Sequence, residues 1–199
     1  MNVGELELHS QRAINLLTQL GVRFAVVGGL AVSFQAMERL TKDLDLVVAV
    51  QDDQESQKIV FEFSQLGYLT ADVFEHEHSK RMATVRMISP GINPMYVDLL
   101  FASSGIENEI VDTAEEGHLF SNINVRVATI SSLIALKVLS ARESRMKDIV
   151  DLQSLLEVAS PNDIDSSRRL LDLITARGFD RGKDLQRDLD RHIEQFKAG

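Results

Sequence analysis

The spacing of apolar residues changes several times along the first half of the chain. Residues 5–20 carry leucine and isoleucine at helical intervals, and Gly21 stands where such a helix should end. The run RFAVVGG predicts a short strand that is closed by two glycines. Residues 30–40 predict a helix, DLDLVVAV predicts a strand with an acidic start, and residues 53–66 predict a further helix.

The second half of the chain changes from strands to helices. ATVRMIS and MYVDLLF predict two strands joined by a turn that contains proline and glycine, so we expect them to be antiparallel neighbours. INVRVAT predicts a last strand. From residue 130 onward the pattern predicts only helices, at residues 130–142, 145–159, 163–176 and 182–196.

This order of elements predicts an α/β fold. We expect a mixed sheet, because the two strands of the predicted hairpin are antiparallel whereas strands separated by helices are typically parallel. The sheet should occupy residues 1–127, and a C-terminal helical domain should occupy residues 128–199.

Composition excludes several classes of function. The chain has 199 residues, of which 44% are hydrophobic and none is cysteine, so a disulfide scaffold, a cysteine nucleophile and a cysteine-based metal site are excluded. The N-terminal residues lack the pattern of a secretory signal, and no apolar run approaches the roughly 20 residues that cross a bilayer. These features predict a cytoplasmic protein without a membrane partner.

The formal net charge of −9 argues against a generally basic surface that coats nucleic acid. Lysine and arginine are sparse in the first third of the chain and denser from Lys137 onward. Any contact with a polyanion should therefore involve the C-terminal half. An acidic composition also suits a protein that holds divalent metal.

Three carboxylates are the strongest chemical signal. Asp43 and Asp45 lie two positions apart on a predicted strand, so both should face the same side. An isolated Asp-x-Asp is typically a solvated turn, but here LVVAV continues the strand into the core. Asp98 is the acid of the apolar run MYVDLLF. If the two strands are neighbours, three hard oxygen ligands converge, which favours magnesium.

Gly28 and Gly29 end one predicted strand and begin a helix. Glycines allow a backbone to approach a ligand closely, and a helix N-terminus offers unpaired N–H groups to a phosphate. A glycine pair at the end of a strand is by itself more often only a turn. Its spacing from the Asp-x-Asp on the next strand makes the signal specific.

Together these motifs resemble the DNA polymerase β-like nucleotidyltransferase superfamily. The run GGLAVSFQAMERLTKDLDLVV is similar to the branch that contains the abortive-infection toxin (AbiEii-like) nucleotidyltransferases, in which an Arg-x-Thr/Ser-x-Asp-x-Asp run is typical. That run is here Arg39, Thr41, Asp43 and Asp45. The stretch ISSLIALKVLSARESRMKDIVDLQSLL is also similar to this branch, and the resemblance covers roughly residues 21–156.

The resemblance implies a metal-dependent nucleotidyltransferase fold and activity. It implies that a nucleoside triphosphate binds at Gly28 and Gly29, that Asp43, Asp45 and Asp98 hold two Mg²⁺ ions, and that Asp98 is the general base. It also implies nucleotide binding by Arg39, Lys137 and Asp148. Relatives often have Ser or Thr at the position of Gly29, so the phosphate contact of that hydroxyl is lost here or supplied by Ser33. An acid that the branch often has before the lysine is replaced by the region of Ser131 and Ser132.

Lys137 and Asp148 leave two interpretations open. Lys137 lies within the apolar stripe of its predicted helix, where a lysine must reach the edge or meet an anion. The pair could form a structural salt bridge, or Lys137 could bind the triphosphate while Asp148 orients it or the acceptor. Arg142 and Lys147 are further candidates for phosphate or acceptor contacts, although solvated charge is the more ordinary interpretation.

His76, Glu77 and His78 are more typical of an exposed hairpin than of a zinc site, because no fourth ligand lies nearby in sequence.

The leading hypothesis is transfer of a nucleoside monophosphate to an acceptor hydroxyl with release of pyrophosphate. The acceptor could be RNA such as tRNA, a protein or a small molecule, and the resemblance suggests a toxin with an antitoxin partner. The alternatives are a non-catalytic binding or regulatory module, which the complete set of acids disfavours, and a metal-dependent nuclease, whose chemistry does not require the glycine pair.

Overall fold

A mixed seven-stranded sheet forms the centre of the protein in a computed structural model, which describes residues 3–37, 41–77, 79–120, 123–142 and 146–198. The strands are β1 (Arg23–Val27), β2 (Asp43–Ala49), β3 (Leu69–Glu75), β4 (Met82–Ile88), β5 (Tyr96–Leu100), β6 (Glu115–Leu119) and β7 (Ile123–Val127). The helices of the described ranges are α1 (Val3–Gln19), α2 (Gly28–Gln35), α3 (Asp53–Gln65), α4 (Glu107–Thr113), α5 (Ile130–Ser140), α6 (Met146–Val158), α7 (Pro161–Ala176) and α8 (Leu185–Ala198).

The strand order is β3-β4-β5-β2-β1-β7-β6. β2 pairs in parallel with β5 and β1 in parallel with β7, whereas the β1–β2, β3–β4, β4–β5 and β6–β7 pairs are antiparallel. The predicted mixed sheet and the predicted hairpin of β4 and β5 are therefore confirmed. This order brings β4 and β5 next to β2, the strand that carries the Asp-x-Asp.

Helix termini follow the local sequence. α1 is followed by Gly21, which adopts φ +66°, a left-handed conformation that glycine reaches without a Cβ penalty. The side chain of Asp52 accepts from the Glu55 N–H at the start of α3. Ser160 and Asp163 form a capping box at the start of α7, where Pro161 occupies the first turn.

The predicted helical C-terminal part is confirmed as α5 to α8, with ends shifted by a few residues. The predicted helix at residues 30–40 is α2, which begins earlier, at Gly28, and ends at Gln35. Its expected last residues, 38–40, lie outside the described part of the chain. None of the helices in the described ranges combines the length and apolar character that a bilayer crossing needs.

Three elements were not predicted from the sequence. β3 is an edge strand whose residues are all exposed, so its sequence lacks the alternation that marks a half-buried strand. β6 is the other edge and contains Gly117 and two acids, which are depleted in strands. α4 is short, and its polar residues interrupt the apolar pattern.

The boundary expected at residue 128 stays a prediction. Strands of the described chain end at Val127 and the C-terminal helices begin at Ile130. The apolar core is nevertheless continuous between the two parts, because Leu133 and Leu171 belong to the same buried cluster as Val27. The helices are thus held against the sheet by shared apolar burial.

Lys183 anchors the loop between α7 and α8 to the end of α5. Its ammonium donates to the backbone carbonyls of Val138, Leu139 and Ala141 at 3.3, 2.9 and 2.6 Å. These are carbonyls that the end of a helix leaves without an intrahelical partner. Burial lowers the pKa of Lys183, so desolvation opposes part of this gain.

Replacing Lys183 with methionine, which keeps the length of the side chain, should lower the free energy of unfolding by about 1–3 kcal/mol, because three carbonyls lose a charged donor. Urea unfolding of the variant against the wild type measures this change. Lys197→Met, at an exposed position of α8, is the matched control and should change the free energy by less than about 0.5 kcal/mol. Equal effects of the two substitutions would contradict the anchoring role.

Candidate active site

The three predicted acids lie on neighbouring strands and face the same side of the sheet. Asp43 and Asp45 are two positions apart at the start of β2, and Leu44 between them is fully buried on the opposite face. The register of the parallel β2–β5 pair places Asp98 directly beside Asp45. Asp98 is 7% exposed, whereas Asp43 and Asp45 are half-buried.

The pKa of Asp45 reflects this crowded position. Burial first, and then the charges of Asp43 and Asp98, raise the pKa from its ordinary value of 3.8 to about 7. The charge of Lys137 and a hydrogen bond from the Gly29 backbone N–H lower it in opposition. Asp45 therefore gains or loses its proton near neutral pH, unlike an ordinary aspartate.

Gly28 is required because Asp45 occupies the space where a side chain would stand. A Cβ built on Gly28 would lie 2.8 Å from the Cβ of Asp45 and even closer to its carboxylate. The backbone of Gly28 also has φ +63°, which disfavours any residue with a Cβ. The glycine turn therefore brings the N-terminus of α2 directly onto the acid of the next strand.

Two of the acids are already engaged by neighbouring side chains. Arg86 of β4 donates to both carboxylate oxygens of Asp98, with Nε–Oδ1 at 2.8 Å and Nη2–Oδ2 at 2.6 Å. The hydroxyl of Thr41 donates to Asp43 Oδ1 at 2.5 Å. The hydrogen bond to Asp98, and the charges of all three acids, raise the pKa of Arg86 even further above neutral pH.

Lys137 enters the same space from α5. Its ammonium lies 2.8 Å from Asp148 Oδ1 and 2.7 Å from Asp151 Oδ2, and the residue is 9% exposed. Both interpretations of this lysine therefore have support in the geometry. It forms a buried salt bridge, and its charge also acts on Asp45 across the cleft.

A cleft of about 620 Å³ separates the sheet from the C-terminal helices. Its walls contain the glycine turn, the three acids and Lys137 together with Asp148. Further lining residues are Thr84, Arg86, Leu100, Ser103, Ser104, Leu133, Leu136, Leu139, Ser140, Met146, Lys147 and Arg181. The lining mixes charged and hydroxyl side chains with leucines, and a space of this size is typical of a small-molecule site.

The other predicted residues lie in different places. The hydroxyl of Ser33 donates to the Gly29 carbonyl at 3.0 Å inside α2, and Ser33 does not line the cleft. Arg39 lies outside the described residues, as does His78. His76 lies in the turn between β3 and β4, where its Nδ1 is 2.9 Å from the Ser79 hydroxyl and its ring stacks on Phe179.

Two important residues were missed by the sequence analysis. Asp151 follows Asp148 by one helical turn, so helical spacing predicts that both reach the same neighbour. Arg86 pairs with Asp98 because the two residues are equidistant from Ile92 in the β4–β5 hairpin. That register depends on which residue lies at the centre of the turn, and the proline and glycine residues of this segment do not single out one position.

The donor set fits divalent magnesium. Three carboxylates on one face are hard oxygen ligands, and the cleft that they line beside the glycine turn has room for phosphate oxygens. In the described part of the chain, no three acidic or histidine side chains already meet as a ready-made metal site. Asp98 is directed to Arg86 and Asp43 to Thr41, so these side chains would exchange partners on binding a metal ion.

One protein family matches most of the chain. The family described as nucleotidyl transferase AbiEii toxin, type IV TA system, matches residues 13–198. No curated protein sequence matches the chain at a significant level.

Two solved structures are similar in fold. An antigenic nucleotidyltransferase-like protein from Paracoccidioides brasiliensis is 19% identical, with a TM-score of 0.52 over 96% of this chain and 94% of that one. The antibiotic-resistance factor ANT(2'')-Ia is 14% identical, with a TM-score of 0.50 over 100% of this chain and 94% of that one. These likenesses show that the chain has the nucleotidyltransferase fold.

Gly28→Ala should unfold at distinctly lower urea concentration than the wild type, since the new Cβ must displace Asp45. The matched control is Gly21→Ala, which has a similar φ of +66° but nothing within 4 Å of the new Cβ. The control should lose about 1–2 kcal/mol through backbone strain alone, and Gly28→Ala about 1–3 kcal/mol more through overpacking. Equal losses would mean that Asp45 moves aside without cost.

The contribution of Asp45 to the stability of the metal-free protein should fall as pH rises from about 4 to about 7. A carboxyl group whose folded pKa is raised binds its proton more tightly in the folded state, so ionisation above pH 7 destabilises the fold. Asp45→Asn, which lacks this ionisation, should therefore melt at a higher temperature than the wild type at pH 8, and the gap should shrink towards pH 4. Thermal melts in EDTA across this range provide the measurement.

Asp165→Asn is the control for that experiment, because it removes one charge from an exposed position of α7. It should not reproduce the pH-dependent gap. A lower melting temperature of Asp45→Asn at pH 8 would show that the Asp45 carboxylate supports the fold instead of straining it.

Proposed function

The chain belongs to the AbiEii nucleotidyl transferase toxin family and is a nucleotidyltransferase, and from that premise we propose that it transfers a nucleoside monophosphate from a nucleoside triphosphate to an acceptor hydroxyl. The observation that carries this proposal is the placement of Asp43, Asp45 and Asp98 on one face beside the glycine turn. The cleft next to them has the volume of a nucleotide-sized ligand.

In the proposed reaction, the acceptor oxygen forms a bond to the α-phosphorus, and the bond from that phosphorus to the oxygen bridging to the β-phosphate breaks. The electron pair of the broken bond leaves with pyrophosphate. The proton of the acceptor hydroxyl passes to a carboxylate oxygen of Asp98, the base that we assign. Arg86 donates one hydrogen bond to each oxygen of Asp98, and the second lone pair of either oxygen would take this proton.

Asp43, Asp45 and Asp98 would hold magnesium, with two ions proposed. When bound, such ions lower the pKa of an attacking hydroxyl and stabilise a leaving pyrophosphate. The chain's own contribution is to fix the three carboxylates on adjacent strands at the wall of the cleft. Gly28 and Gly29 would place backbone N–H groups at the triphosphate, and the Gly29 N–H would leave Asp45 to do so. The Ser33 hydroxyl donates within α2.

Lys137 would neutralise phosphate charge from the opposite wall. Asp148 and Asp151 hold its ammonium between them, which fixes its position without extending it to solvent. Asp148 lines the cleft beside it and would orient the nucleotide or the acceptor. Arg39 is a further proposed nucleotide ligand, from sequence alone.

RNA is the acceptor that the charge distribution favours, ahead of a protein or a small molecule. Lys147 and Arg181 line the helical side of the cleft although the chain as a whole carries a net charge of −9. A local concentration of cations in an acidic protein suits a phosphodiester backbone better than a neutral substrate. Action as a toxin with an antitoxin partner, in the cytoplasm, completes the proposal.

The proposal is tested with each nucleoside triphosphate labelled at the α-phosphate, incubated with Mg²⁺ and with total RNA, total protein or an aminoglycoside. We expect the label to move to an acceptor only when Mg²⁺ is present. Asp43→Asn and Asp45→Asn should each reduce transfer at least about a hundredfold, because each removes a proposed ligand of the magnesium that would stabilise the reacting phosphate.

Asp165→Asn is again the matched control and should transfer at the rate of the wild type. Circular dichroism of the variants excludes unfolding as the cause of a loss. Transfer by Asp45→Asn at the wild-type rate would refute the proposed site, and the absence of transfer with every nucleotide and acceptor would favour a non-catalytic role.

A further inference from the structure

Arg86 and Asp98 form a close charged contact on the face of the sheet that carries the three acids. The guanidinium approaches both oxygens of Asp98 at 2.8 and 2.6 Å, a bidentate arrangement in which each donor meets its own acceptor. The Asp98 side chain is only 10% exposed, whereas that of Arg86 is 37% exposed. The guanidinium carbon lies over the Tyr96 ring, 5.2 Å from its centroid, in a cation–π contact.

The position of Arg86 is that of a cation bound to the acid cluster. It occupies β4 directly opposite Asp98, and its charge is also attracted by Asp45 and Asp43. Thr84, two positions earlier on the same strand, lines the cleft on the same face. The guanidinium thus supplies positive charge at the place where three crowded carboxylates need it.

A bidentate guanidinium also limits what else Asp98 can bind. It takes one lone-pair direction of each oxygen and holds the carboxylate plane towards β4. Asp45 lies on β2, on the other side of β5 from Arg86, so a divalent ion shared with Asp45 would draw an Asp98 oxygen away from β4. Asp98 paired with Arg86 faces β4, whereas Asp98 sharing a metal ion with Asp45 would face β2.

We propose that Arg86 is a built-in counter-cation that competes with divalent metal for Asp98, so that Arg86 releases at least one Asp98 oxygen when a metal ion binds. This inference rests on the proposed metal-binding role of Asp98. Arg86 is a positioning residue, since it acts through Asp98. It keeps the acid cluster folded without metal and sets the metal concentration at which the site is loaded.

A merely structural arginine would behave differently. If Arg86 only ties β4 to β5, its removal lowers stability to the same extent with and without metal, and metal affinity does not change. If Arg86 supports the bound metal, its removal weakens binding. Competition alone predicts a less stable metal-free protein that binds metal more tightly.

The test measures Mn²⁺ binding, in the absence of nucleotide, from the electron paramagnetic resonance signal of the free ion. Arg86→Gln should lower the dissociation constant at least about tenfold relative to the wild type, the scale of one charge-assisted pair. In EDTA the variant should melt at a lower temperature than the wild type. Saturating Mn²⁺ should raise its melting temperature by more than it raises that of the wild type.

Arg81→Gln is the matched control, because Arg81 precedes β4 and pairs with Asp53 at 3.3 Å away from the acids. It should leave Mn²⁺ affinity unchanged. Arg86→Lys keeps the charge but not the bidentate geometry, and should tighten binding by a smaller factor than Arg86→Gln. If Arg86→Gln does not fold, the Arg86 Nε–H resonance of the wild type serves instead, and it should shift in step with saturation by Mg²⁺.

Unchanged or weaker Mn²⁺ binding by Arg86→Gln overturns the competition, as does an Nε–H resonance that ignores Mg²⁺. Measurements on the wild type and on Asp45→Asn distinguish failure of the proposed metal site from failure of the role of Arg86. If Asp45→Asn weakens binding but Arg86→Gln leaves it unchanged, only the role of Arg86 fails. If neither the wild type nor Arg86→Gln binds Mn²⁺, the proposed metal site fails and the role of Arg86 fails with it.

Discussion

Repulsion among Asp43, Asp45 and Asp98 is the constraint around which the fold is arranged. Three carboxylates on one face of adjacent strands destabilise a sheet unless each has compensation. The compensation comes from separate segments of the chain. The Thr41 hydroxyl meets Asp43, the Gly29 N–H meets Asp45, and Arg86 meets Asp98. The acid cluster therefore exists only where these segments converge.

The strand order makes that convergence possible. β5 could pair with either edge of a growing sheet, but its parallel register on β2 sets Asp98 beside Asp45. β4 precedes β5 in the chain and pairs with it as a hairpin, which brings Arg86 to the same face. On the other side β1 leads directly into α2, so the first amides of that helix face the acid of β2. Gly28 is the point at which helix and strand come too close for a side chain.

The sequence predicted the parts of this arrangement that depend on local spacing. Asp43 and Asp45 share a face because strand periodicity is two, and the long apolar runs of β2, α5 and α6 mark buried elements. β3 could not be predicted because its residues are all exposed, so its apolar residues show no alternation. The pairing of Arg86 with Asp98 could not be predicted because the register of a hairpin depends on its turn. The role of Asp151, by contrast, follows from local spacing, because it lies one helical turn from Asp148 and contacts the same lysine. The roles of Ser33, Arg39 and the three acids stay predictions.

Acids dominate one wall of the cleft, and cations outnumber acids on the other. The sheet wall holds Asp43, Asp45 and Asp98, whereas the helical wall holds Lys137, Lys147 and Arg181 together with Asp148. On the proposed function, phosphates would lie between these walls, with divalent ions on the sheet side. Among the described residues that line the cleft, Arg86 is the cation of the sheet wall. The three carboxylates need positive charge, which can come from the Arg86 guanidinium or from a metal ion. On the proposed competition, a metal ion that binds Asp98 takes the place of at least one of its hydrogen bonds to Arg86.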